Sequence, residues 1–113
     1  MSATTKVLWV IRHELINNYP NVHFQLQQGI LHKVVMQGHK VAFISKHGNS
    51  VQGFPALDDS ATDTEVVLRN AKESQFNDCQ AFYMVCDNNE DMSKAMNAGY
   101  KVIPAQYFAL NLD

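Results

Sequence analysis

Three short, uninterrupted apolar runs constrain this chain more than anything else in it. They are Val7-Leu8-Trp9-Val10-Ile11, Val41-Ala42-Phe43-Ile44 and Ala81-Phe82-Tyr83-Met84-Val85-Cys86. Each is shorter than a typical helix, and none shows the polar alternation of a strand with one wet face. Strands buried on both faces read this way, and such strands belong to parallel sheets covered by helices. Between the runs the spacing turns helical. Residues 22–37 place Leu26, Ile30, Leu31, Val34 and Val35 at helical intervals, and residues 62–74 do the same with Val67, Leu68 and Ala71. The second of these opens on Thr62-Asp63-Thr64-Glu65, a capping-box pattern with Thr62 at the N-cap. A further helix over residues 88–98 packs through Met92, Ala95 and Met96, and Met84, Met92 and Met96 serve as core filler. Residues 101–103 form a last strand ending at Pro104, and residues 51–57 leave room for another short one. The alternation predicts an α/β chain: a three-layer α/β/α, Rossmann-like domain around a mainly parallel sheet of four to five strands.

Two segments repeat one plan, which supports the register. Met36-Gln37-Gly38-His39-Lys40-Val41 and Asn97-Ala98-Gly99-Tyr100-Lys101-Val102 each run from a helix end through glycine into a strand. Gly38 and Gly99 can take the left-handed conformation that closes a helix and turns the chain.

With 113 residues, the whole of 1–113 reads as a single domain. A charged fraction of 18% beside 46% hydrophobic residues argues against disorder. A net charge of -2, with Lys and Arg scattered, argues against a nucleic-acid partner. The longest apolar run is far too short to cross a membrane, and no signal peptide is evident, so a cytoplasmic location is expected. Cys79 and Cys86 border one strand, roughly 23 Å apart in extended chain, so they are expected as reduced, partly buried thiols.

The closing segment narrows the field. In Val85-Cys86-Asp87-Asn88-Asn89-Glu90-Asp91 an acidic residue ends a strand and others follow in the next turn. The helix behind it closes on Ala98-Gly99 before Tyr100-Lys101-Val102-Ile103. Upstream, Gly38-His39-Lys40-Val41-Ala42-Phe43-Ile44-Ser45 is a strand that ends in serine. These residues resemble the last and second motifs of haloacid dehalogenase-like phosphohydrolases, over nearly the whole chain from Lys6 to Ile103. The resemblance implies a small member without a cap domain, since the connection from Leu15 to Val22 is short. It implies Ser45 and Lys46 as phosphate-binding residues. It also implies Asp87 and Asp91 as ligands of a weakly held magnesium ion, although no cofactor is required.

The departures from that family carry as much weight. Its first strand ends in Asp-x-Asp, a nucleophile and a general acid/base; here the stretch is Val10-Ile11-Arg12-His13-Glu14-Leu15. Ile11 takes the nucleophile position and His13 the acid/base position, and isoleucine has no lone pair to attack with. Where the family carries a phosphate-binding lysine, this chain has Asp58-Asp59-Ser60-Ala61. The catalytic motifs are therefore degenerate.

The leading expectation is a non-catalytic, pseudophosphatase-like protein with a binding, regulatory or assembly role and a protein partner. The alternative is a small phosphohydrolase with a non-standard magnesium site built from His13, Glu14, Ser45 and Asp87. A flavodoxin- or receiver-like binding module is the third reading. Of the five histidines, only His13 and His47 fall near the expected ligand edge; His23 and His32 lack the i, i+4 spacing of a helical metal pair. Arg12 reads as a solvated residue after a strand, and Asp87, Glu90 and Asp91 also suit a helix N-terminus through its dipole. The uncharged run from Gln106 to Leu112 either packs over the domain or covers a second copy in a homodimer.

Overall fold

The computed structural model describes residues 6–15 and 35–104. Five strands form the sheet: β1 (Val7–Arg12), β2 (Lys40–Ser45), β3 (Ala56–Asp58), β4 (Ala81–Cys86) and β5 (Lys101–Pro104). Every pairing is parallel, in the order β3-β2-β1-β4-β5. This is the α/β, Rossmann-like arrangement that the apolar runs predict. β1 lies at the centre and pairs through Ile11 with Phe43 on one side and Val85 on the other. The outermost strands are the shortest, and Pro104 sits at the end of one of them, where a missing N–H costs no ladder bond.

Two helices belong to the described residues, α1 (Thr64–Asn70) and α2 (Asn89–Asn97). The expected helix over 22–37 lies outside them apart from its last residues; there Val35 is 41% exposed and Gly38 N–H donates to Val35 O at 3.0 Å. Gly38 and Gly99 have φ of 98° and 91°, the left-handed turns that the repeated plan requires. His39 uses Nδ1 to accept from Val7 N–H at 3.3 Å. The expected packing of residues 106–112 also lies outside the described residues.

The sheet alternation divides the core in two. Leu8, Val10, Ala42, Ile44, Met84 and Cys86 pack with Leu68, Ala71, Ala95 and Ala98 of the helical segments. Ile11, Val41, Phe43 and Val85 face the other way, with Leu15 and Phe54. On that face Trp9 stacks on its register partner Tyr83, ring centroids 4.8 Å apart.

α1 runs into one turn of π-helix, Ala71–Gln75, closed by Phe76 N–H to Ala71 O at 2.8 Å. The buried Tyr100 hydroxyl donates to Leu68 O at 2.7 Å beside that turn, and burial raises its pKa.

Two details differ from the sequence expectations. The N-cap of α1 is Asp63, not Thr62: its Oδ1 accepts from Glu65 N–H at 2.9 Å. Glu65 does not reach back to complete a box, because Arg69 holds its carboxylate at 2.7 Å. Met96 is 60% exposed and not core filler. α2 turns the stripe Asp91, Ala95, Ala98 inward, residues at helical spacing on one face. A buried carboxylate thus sets the helix rotation, which a hydrophobic pattern does not anticipate.

Both cysteines are buried free thiols. Burial raises both, and Cys86 is pushed up to about 12, so neither has the thiolate character of a reactive cysteine. Among the described residues, no helix is long and apolar enough to cross a membrane.

Candidate functional site

Because all strands are parallel, their carboxyl ends share one edge. That edge gathers Arg12 at the end of β1 with His13 and Glu14 behind it, Ser45 and Lys46 at the end of β2, Asp58 and Asp59 at the end of β3, and Asp87 after β4. From β1 the chain builds outward through β2 and β3, then returns to lay β4 on the opposite side. The place between β1 and β4 is the topological switch point, where open α/β sheets bind their ligands.

Arg12 occupies that place. It follows Val10 in the strand alternation, so it projects toward the α1 and α2 side. It is not solvated as expected but 4% exposed. Its Nε donates to Asp91 Oδ2 at 3.0 Å and one terminal nitrogen to Asp91 Oδ1 at 2.8 Å, a bidentate pair. The other terminal nitrogen donates to Asp59 Oδ1 at 3.0 Å. One guanidinium therefore ties the end of β1 to the loop after β3 and to the first turn of α2.

Both carboxylates are held from behind as well. Thr64 Oγ1 donates to Asp59 Oδ2 at 2.7 Å, and Lys46 Nζ lies 3.4 Å from the same oxygen. Asn88 caps α2 by accepting from Asp91 N–H at 2.8 Å, and its amide donates back to Asp91 Oδ2 at 3.1 Å. The helix dipole favours a negative charge there.

Burial opposes the charged form of Arg12, but its bonds to Asp59 and Asp91 and their charges outweigh it, and its pKa is raised. Burial likewise works against the Asp59 carboxylate. The Arg12 and Thr64 hydrogen bonds, with the Arg12 and Lys46 charges, win and lower its pKa.

A group whose folded pKa is depressed contributes stability above its unfolded value, lost as pH falls through the folded one. We therefore expect the unfolding free energy to decline as pH drops below about 4. Asp59→Asn should flatten that decline in urea titrations followed by far-UV circular dichroism. An unchanged slope in the variant would count against the assignment.

The remaining sequence candidates form a second group around β1 and β2. Ser45 is fully buried; its hydroxyl donates to Glu14 Oε1 at 3.3 Å and accepts from His47 N–H at 3.1 Å. Lys46 N–H donates to the same Glu14 oxygen at 3.2 Å. His13 N–H donates to Ile44 O at 2.9 Å, and its ring meets Phe43 edge-on with centroids 6.4 Å apart. Among the described residues, the buried side-chain polar atoms without a hydrogen-bond partner are His13 Nδ1 and Glu14 Oε2. Lys46, with its side chain 47% exposed, points its ammonium to Asp59 and to Thr64 Oγ1, 3.3 Å away.

The pair implied for magnesium is differently placed. Asp87 is exposed, with an Asn88 amide 3.5 Å from Oδ1, whereas Asp91 is buried and directs both oxygens to Arg12. Magnesium demands an octahedral shell of oxygens close to the ion. As arranged, these residues do not fit it: an ion at Asp91 would have to displace a guanidinium. Among the described residues, no group of three or more His, Cys, Asp and Glu side chains is set to hold a metal.

Sequence reading missed Asp59 and Thr64 and misread Arg12. One signal was available, since an arginine that continues the alternation of a buried strand must find buried carboxylates. Comparison of the chain with models of protein families, with curated proteins and with solved structures gave no match.

Proposed function

We infer that this chain is a non-catalytic relative of the haloacid dehalogenase-like phosphohydrolases, a pseudophosphatase with a binding, regulatory or assembly role. The observation that carries this reading is the buried Arg12–Asp91 pair across the switch point between β1 and β4. A catalytic crevice there needs room for a substrate and a group able to attack it. This one is filled by an internal ion pair, and the residue at the nucleophile position, Ile11, is fully buried in the opposite half of the core. A protein partner in the cytoplasm suits the mild negative charge better than a nucleic acid.

The test is hydrolysis of a generic phosphomonoester by purified protein with magnesium, beside an Asp87→Asn control. We expect no turnover above the control. Turnover that disappears in Asp87→Asn would overturn the reading.

A second reading has its own support. Among the described residues, His13 Nδ1 and Glu14 Oε2 are buried polar atoms without partners, next to Ser45 and at the same sheet edge. Such atoms cost about 1–3 kcal/mol each when left unsatisfied, which favours a function for them. A phosphohydrolase using His13, Glu14, Ser45 and Asp87 is the activity that the same assay would detect. The strand order speaks against the flavodoxin- or receiver-like alternative, whose sheets run 2-1-3-4-5 where this one runs 3-2-1-4-5.

A further inference from the structure

We draw no further inference here: the strongest candidate, the side-chain cluster of His13, Glu14 and Ser45 at the carboxyl ends of β1 and β2, with His13 Nδ1 and Glu14 Oε2 buried and without partners among the described residues, belongs to the site already described.

Discussion

Asp91→Ala should lower the unfolding free energy by about 3–5 kcal/mol, the cost of leaving a buried charge without its partner. Arg12 is largely shielded from water: its side chain is 5% exposed and held between the strand end, the loop after β3 and α2. Loss of the bidentate carboxylate leaves it with Asp59, and the Asn88 amide loses its acceptor Asp91 Oδ2, while the backbone N–H of residue 91 still donates to Asn88 Oδ1. Lys94→Ala makes a useful contrast. The Lys94–Asp63 pair is as short, 2.8 Å, but Asp63 is half exposed, so the change should cost far less than Asp91→Ala. Equal losses for the two variants in urea denaturation would show that the buried pair carries no special weight. A double-mutant cycle with Arg12→Met and Asp91→Asn isolates the coupling: the double variant should be less damaged than the sum of the singles. The two residues act as one unit.

Ile11→Asp should be at least as damaging, by about 4–7 kcal/mol at neutral pH. The position is fully buried among Phe43, Val85 and Leu15, with no cation on that face of the sheet among its core neighbours. A carboxyl there would keep its proton, and burial of this kind raises a carboxyl by about 3–5 pH units. The neutral form escapes the charge penalty but still leaves a cavity and a carboxyl without partners, so part of the loss should remain below about pH 4. The loss should grow as pH rises from the unfolded value toward the raised folded one. Ile11→Val, which removes one methylene, should cost about 1 kcal/mol with no pH dependence beyond the wild type's. Urea denaturation of both variants at acidic and neutral pH separates the charge from the packing. A pH-independent loss in Ile11→Asp would mean that water reaches the site. On the proposed function, restoring a carboxylate at this position yields no phosphatase, since Arg12 still fills the crevice beside it.

These two positions also show where sequence reasoning reached and where it stopped. The burial of Ile11 was legible, because it ends an uninterrupted apolar run. The burial of Arg12, one residue later, was not. Its partners lie 47 and 79 residues away, and nothing local marks Asp59 or Asp91 as theirs. The same remoteness explains the misplacement of Met96: α2 is rotated to bring Asp91 inward, and its apolar stripe shifts with it. Ser45 was correctly read as a strand-end hydroxyl. Its commitment to Glu14 and His47 depended on β1 and β2 ending side by side.

Sequence by itself determined the elements: which segments become strands, that the three apolar runs form the centre of a parallel sheet, and where glycine turns the chain. Periodicity, side-chain burial and the sterics of one residue act over a few positions, so a linear reading captures them. The tertiary structure alone decided the order β3-β2-β1-β4-β5 and, through it, which charges meet. A buried guanidinium is tolerable only if carboxylates arrive from other segments, and the assembled sheet brings them to it.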